Sequence, residues 1–380
     1  MIRFETSEKR FVYVLLCLAS FTISFNLAAI TAAIPVISSD LNLPDFLVAK
    51  IIPYYYIPYG LAALIYAPLT RFFSYRSVLT VSMVFYAGAC YFCATVAELN
   101  FFFLGRIAMG ITAAGVIPLG LMVIGEFYEK NIRGRLIGIF FGCTFVASLL
   151  GVILGGFADW RWLFTAPAIL GGLLSLLVSL CPSSILRQKH LGHINYFQSL
   201  GNSSILRVFL FIFAISFLYH GVHAWYGVYL NRVYHLDKLA ISIFFIITLI
   251  GGFVGQLLGG VISDLKGRKA ACYMGVIGLG LSTIFLYTTY PLFALAIILF
   301  SIPMCWTIGH NGLSTVLTDF PDEDRPIIAS LNSAVRFFSG GLGFQVSSLF
   351  VEQSFRLTFL GIGILILLLS FILKYIIPNN

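Results

Sequence analysis

The feature that most constrains this chain is the recurrence, from one end to the other, of apolar stretches of about twenty residues almost free of charge. A helix of that length covers the roughly 30 Å of a bilayer's hydrocarbon. Charged side chains make up 10% of the 380 residues and apolar ones 59%, against roughly 25% charged in an ordinary soluble domain. No water-facing surface can be built from that composition, so the chain reads as an all-α membrane protein crossing the bilayer many times. Twelve spans are expected, at about 11–35, 46–69, 78–97, 101–125, 136–157, 162–181, 207–230, 240–263, 270–289, 291–318, 327–350 and 356–377. The first follows Arg3, Lys9 and Arg10. It is longer than the roughly 7–15-residue core of a cleavable signal peptide, and further spans follow it, so it counts as the first helix.

A net charge of +8 would point to nucleic acid in a soluble protein. Here no nucleic-acid partner is needed, because Lys and Arg collect in the cytoplasmic loops of membrane proteins. With the N-terminus inside, sixteen of the 23 Lys and Arg residues fall in inner segments and five in outer ones: Lys50, Arg161, Arg232, Lys238 and Arg356. That asymmetry predicts both termini in the cytoplasm and residence in an inner or plasma membrane, with the lipid bilayer as the protein's surroundings. The seven cysteines are scattered. Cys90 and Cys93 lie one turn apart within a span, where they read as small packing residues rather than a disulfide or metal pair. No metal site and no cofactor are expected.

Between two of the apolar runs stands Gly259-Gly-Val-Ile-Ser-Asp264-Leu-Lys-Gly267-Arg268-Lys269, a hydrophilic hairpin. A worn copy, Ala67-Pro-Leu-Thr-Arg71-Phe-Phe-Ser-Tyr-Arg76, occupies the same place in the first half of the chain. The offset from Ala67 to Gly260 is 193 residues, about half of 380, which predicts two similar halves. The longest connection separates them, giving a six-helix bundle over 1–181, a cytoplasmic linker over 182–206 and a second six-helix bundle over 207–380. The other loops leave no room for a soluble catalytic domain. Glycine (35 residues) and proline (13) are frequent, as at Pro53, Pro58, Pro118, Pro303, Gly151, Gly155 and Gly156. Such residues permit close helix crossing and local bends.

With these pieces in order, the chain resembles the major facilitator superfamily of secondary transporters, and within it the twelve-span drug/proton antiporter branch. The loop at Gly260, Asp264, Gly267, Arg268 and Lys269 is similar to that family's G-x-x-x-D-x-x-G-R-[KR]. Its first-half copy carries Arg71 where Asp belongs, Ser74 for Gly and Tyr75 for Arg. Arg106-Ile-Ala-Met-Gly110 resembles the R-x-x-x-G of span 4. Gly151-Val-Ile-Leu-Gly155-Gly156 with Trp160-Arg161-Trp162 resembles the antiporter pattern of span 5, Val152 replacing Pro. Phe25-Asn26 through Ala33-Ile34-Pro35 resembles the pattern of span 1, Asn26 replacing Asp. The resemblance implies two pseudo-symmetric bundles of inverted repeats enclosing a site near the bilayer midplane, alternating access by rocking, and a monomer as the working unit. The hairpins themselves fit a conformational latch. Gly267 permits the tight turn, while Asp264 accepts hydrogen bonds from a helix N-terminus or from an arginine such as Arg268. The loss of the acid at Arg71 weakens the first-half counterpart. The same charges would also serve simply to hold topology.

An ionisable side chain deep in a span is costly and marks function. Arg106 and Arg336 are the two cations well inside spans. With them, Asn26, Tyr55, Trp225, Tyr226, Trp306, Asn311, Asn332 and Gln345 are candidates to line a cavity and meet a small-molecule substrate. Nearly all acids fall at helix ends or in loops, so the cavity is neutral to positive and favours an organic anion or zwitterion over cationic drugs. Without a mid-membrane carboxylate, a proton-coupled cycle would have to use His220, His223 or His310, since an imidazole titrates near ~6.5. Arg106 has a second reading, bonding backbone carbonyls, and the histidines have one in packing. Aromatic runs such as Tyr54–Tyr56 read mostly as interface belts.

Other function classes remain in view. Proton-coupled efflux of drugs or other amphipathic compounds is the first alternative. A non-transporting sensor that kept the fold is the second, matching the worn hairpin and the absent span-1 acid. A lipid flippase would need a side opening. An enzyme would need a zinc-type H-E-x-x-H, a Ser/His dyad or paired intramembrane carboxylates, none of which the sequence contains. It contains no nucleotide motif either, so ATP is not expected to drive it.

Overall fold

In hydrocarbon every backbone N–H and C=O must be satisfied within its own segment, so apolar runs of this length become helices. The computed structural model describes residues 7–181, 196, 201–317 and 325–376, and within them no strand forms. The helices are α1 (Ser7–Ser24), α2 (Leu27–Leu41), α3 (Asp45–Val48), α4 (Pro53–Leu69), α5 (Tyr75–Thr95), α6 (Leu99–Ala113), α7 (Val116–Phe127), α8 (Lys130–Phe157) and α9 (Trp162–Ser179). They continue with α10 (Ser203–His223), α11 (Tyr226–Tyr234), α12 (Lys238–Lys266), α13 (Arg268–Phe285), α14 (Leu292–Leu317), α15 (Arg325–Val351), α16 (Phe355–Ser370) and α17 (Leu373–Ile376). Among the described residues, ten stretches are long and apolar enough to cross a membrane. Helices α13 and the 16-residue α16 occupy the ninth and twelfth expected spans.

Side-chain caps start several helices. Ser74 Oγ accepts from Ser77 N (3.1 Å), Asn202 Oδ1 from Ser204 N (2.9 Å) and Asp237 Oδ1 from Ala240 N (2.8 Å). At the hairpin singled out in the sequence, Gly267 has φ 85° and ψ 159°, ending α12 and opening α13 at once. That region of backbone space is essentially reserved for glycine.

Bonds between distant residues confirm that the helices run alternately up and down. On the face where α1 begins, Tyr128 Oη donates to Lys9 O (2.7 Å), Arg76 Nη1 to Cys181 O (2.7 Å) and Arg207 Nη1 to Tyr375 O (3.4 Å). On the far face, Arg161 pairs with Asp40 (2.9 Å) and Arg232 with Asp45 (2.8 Å). The two halves repeat one packing scheme. α5 packs on α9 as α13 does on α16, α4 on α6 as α12 on α14, and α1 on α8 as α10 on α15. The halves meet along α4 with α15, α8 with α12, and α2 with α11 and α12.

Breaks, more than prolines, shape the spans. The first, fourth and seventh spans are interrupted at Asn26, Gly115 and Trp225, with backbone angles (−95°, −5°), (−80°, −25°) and (−97°, −1°). None of these is proline. Pro53 and Pro118 instead stand in the first turn of α4 and α7, while Pro58 and Pro303 lie inside continuous helices. The proposed linker 182–206 lies outside the described residues except at Tyr196, whose hydroxyl donates to Leu64 O (3.0 Å), and at 201–206.

Candidate functional site

Arg336, half-buried on α15, has its Nε buried and pairs with no described acid. One turn of α10 faces it. Ser216 Oγ donates to the Arg336 carbonyl (3.1 Å), and His220 Nδ1 lies 2.9 Å from Ser216 O. A carbonyl oxygen only accepts, so the proton of His220 sits on Nδ1 and its Nε2 is left as the acceptor in the neutral ring. Tyr219 stacks on Trp306 at 4.5 Å with the rings 3° from parallel, and Trp306 stacks on His310 at 5.5 Å. His223 completes this row against Tyr219 (5.3 Å) and Tyr226 (5.1 Å).

The first half contributes through α4. The Tyr56 ring meets His220 edge-on (5.6 Å), and Tyr59 stacks on Phe337 at 3.9 Å. Tyr56, Tyr59, Tyr219, His220 and His310 all lie within electrostatic reach of the Arg336 guanidinium. No described Asp or Glu forms an ion pair with it, and its Nε has no hydrogen-bond partner. Other buried polar atoms in the spans are also without a hydrogen-bond partner, among them both amide atoms of Asn26, the hydroxyls of Tyr55 and Tyr226, Nδ1 of His310 and Oδ1 of Asn332, and of these residues His310 lies within electrostatic reach of Arg336. Buried polar groups are almost always paired, so the unpartnered Nε of Arg336 and Nδ1 of His310, on residues within reach of each other, are atoms that a ligand could satisfy.

Several of the residues expected at the site are thus brought together: His220, His223, Tyr226, Trp306, His310 and Arg336. Asn26 stands at the break in the first span, its side chain making no cap. Three others are engaged elsewhere. Arg106 is 1% exposed, donates Nε to Ile51 O (3.1 Å) and lies over the Tyr55 ring at 4.5 Å, so its charge is held within the first half. Trp225 donates its indole N–H to Ser347 Oγ (2.9 Å) and stacks on Phe344, which makes it the packing residue of a helix break. Asn311 donates to Gln256 O (3.0 Å) and ties α14 to α12. The latch residues lie at the other end of the spans, with Asp264 and Arg71 exposed and Arg268 half-buried. Gln345 is exposed.

Tyr56 and Tyr59 were not among the residues expected at the site. The run Tyr54-Tyr55-Tyr56 read as an interface belt, yet it splits around the helix. Tyr54 is exposed and stacks on Phe103, whereas Tyr56 turns to the opposite half. The three-residue step from Tyr56 to Tyr59, one helical turn, was the available signal. The Trp160-Arg161 pair also has a structural role. The Trp160 indole donates to Asp40 (3.2 Å), and Arg161 both pairs with Asp40 and covers the Trp160 ring (4.4 Å).

Two half-bundles meeting around an aromatic, imidazole and guanidinium cluster in the middle of their spans define a membrane transporter. The comparisons agree, since the family model for the Major Facilitator Superfamily matches residues 16–344, and the chain belongs to that superfamily. It is 26% identical over 288 residues to the uncharacterized MFS-type transporter YwfA of Bacillus subtilis, covering 70% of this chain and 68% of that one. It is 28% identical over 176 residues to the MFS thioclapurine efflux transporter tcpA of Claviceps purpurea, a match spanning 44% of this chain and only 32% of the relative. Among solved structures, a bacterial homologue of the human lysosomal transporter Spinster superposes with a TM-score of 0.80 over 97% of both chains at 14% identity, a likeness of fold.

Proposed function

We propose that this transporter moves a small organic anion or zwitterion, and that Arg336 is the group that holds its negative charge. The observation that carries this reading is the half-buried Arg336, its Nε buried and unpartnered, within reach of three tyrosines and two histidines and paired with no described carboxylate. A buried charge without a counter-charge is strongly destabilising, and a carboxylate or phosphate of the substrate would supply one in bidentate geometry. Tyr56, Tyr59, Tyr219 and Trp306 offer flat faces for the rest of the molecule, and Asn26 and Asn332 offer amide atoms from either half. The halves 1–181 and 207–380, joined by 182–206, rock about this site, with both termini in the cytoplasm of an inner or plasma membrane. Where a proton is coupled, Nε2 of His220 is the acceptor that its bond to Ser216 leaves free.

Purified protein in proteoliposomes, screened with organic anions, amino acids, sugars and hydrophobic cations at two pH values, tests the reading. Anions or zwitterions are expected to move. Arg336→Gln is expected to weaken their apparent affinity by about 10- to 100-fold, the worth of a charged hydrogen bond of about 1.5–3 kcal/mol. Unchanged affinity in Arg336→Gln would overturn it, and binding without movement would favour a sensor. The aromatic lining and the efflux name of the Claviceps relative support a second reading, export of amphipathic compounds, which predicts that hydrophobic cations move instead.

A further inference from the structure

We propose that the groove between α10, α15 and α16 binds one acyl chain of a zwitterionic phospholipid from the leaflet at the far face. The inference rests on the fold and is independent of the substrate reading. The groove has a volume of about 410 Å³ and is lined by Phe217 and Gly221 of α10, Gly343 and Val346 of α15, and Leu357 and Gly361 of α16. Along α16 it extends from Ser354 to Leu365. Eleven helical steps of about 1.5 Å make roughly 16 Å, close to half of a hydrocarbon core of roughly 30 Å and so the depth of one leaflet. The groove's neighbours face lipid: Leu349, Leu357 and Leu365 are 64%, 65% and 50% exposed.

Hydrocarbon outside the groove is as apolar as its walls, so burial alone holds no chain there. Shape and headgroup must do it. The shape comes from three glycines, one on each wall. A Cβ added at Gly361 meets no atom within 4 Å, so that position opens into the groove, while the α10 and α15 walls close behind it where Gly221 approaches Gly343 and Ser347. The headgroup match comes from the rim. Glu352 and Arg356, both exposed, flank the rim residues Gln353 and Ser354 in the turn from α15 into α16, an anion and a cation four residues apart in the chain. Arg356 suits the phosphate and Glu352 the ammonium. The back wall is the α10–α15 seam, which also carries the Ser216–Arg336 bond, so an occupied groove braces the helices that present the central cluster.

The test uses full-length protein in nanodiscs containing phosphatidylethanolamine with a photoactivatable acyl chain, followed by peptide mapping. Labelling is expected to concentrate in residues 343–365. Gly361→Trp, which fills the groove from an open position, should reduce it there to the level of other lipid-facing helices. Gly88→Trp, an equally open and exposed position on α5, should leave it intact. The double variant Glu352→Gln with Arg356→Gln should abolish the preference for phosphatidylethanolamine over phosphatidylglycerol. Labelling spread evenly over all lipid-facing helices, labelling that survives Gly361→Trp, or no headgroup preference in the wild type would each overturn the proposal.

Discussion

Replacing Gly227 with alanine should drive the two halves apart at the far face. Gly227 begins the short helix α11 where it crosses α2 of the opposite half, and a Cβ there would overlap the Thr31 carbonyl oxygen and stand 3.3 Å from Ala32 Cα. The obstructing atoms are backbone, so no side-chain rotation relieves the clash and the helices themselves must separate. Overpacking of this kind costs about 1–3 kcal/mol, and it acts only on conformations in which α2 and α11 touch. At about 2 kcal/mol the ratio of closed to open far face falls about 30-fold. The nearby Arg232–Asp45 pair opposes the separation. It is 2.8 Å long, but the Arg232 side chain is 44% exposed, so it contributes only about 0.2–1 kcal/mol and the clash prevails. Spin labels on Ala97→Cys and Lys238→Cys, exposed far-face positions in opposite halves, report the change as a longer distance population. Six of the seven native cysteines are buried, and Cys143, which is half-buried, is replaced by Ser before labelling. A folded Gly227→Ala protein with the wild-type distance distribution would refute the argument.

Three further outcomes are expected. Gly267→Ala forces a side chain onto φ 85°, ψ 159° and should destabilise by about 1–3 kcal/mol, seen as a lower melting temperature in detergent; an unchanged melt would mean the turn relaxes freely. Asp40→Asn removes a pair in which both side chains are over a third exposed, so its effect should be small, about 0.2–1 kcal/mol, and should shrink further at high salt. A loss of several kcal/mol would show that the Trp160–Arg161–Asp40 contact does more than hold a loop. His220, His223 and His310 all replaced by Gln should abolish pH-driven flux if an imidazole carries the proton, and unchanged flux would remove these residues from the cycle.

Much of this architecture was legible from charge depletion alone. Apolar runs separated by basic hairpins located the spans, and the halves they predicted repeat one packing scheme across α1–α9 and α10–α17. The span ends shifted by several residues because helices in this protein extend past the apolar run into polar caps, as α1 does from Ser7. The breaks were less legible. Asn26, Gly115 and Trp225 interrupt spans that hydrophobicity reads as continuous, since lipid exposure constrains only the outward face and the inward face follows the opposite half.

At the site, residue type pointed correctly to rare chemistry but not to its partners. Arg106 and Arg336 are equally conspicuous in the sequence, yet one is held by the Ile51 carbonyl and the Tyr55 ring while the other faces three tyrosines and two histidines. By itself the sequence determined that the chain spans a membrane as paired helical halves, because hydrocarbon leaves the backbone no other option. Only the tertiary structure decided that Arg106 is held by a carbonyl and a ring of its own half while Nε of Arg336 is left without a hydrogen-bond partner, because that depends on which side chains distant helices bring within a few ångströms of each other.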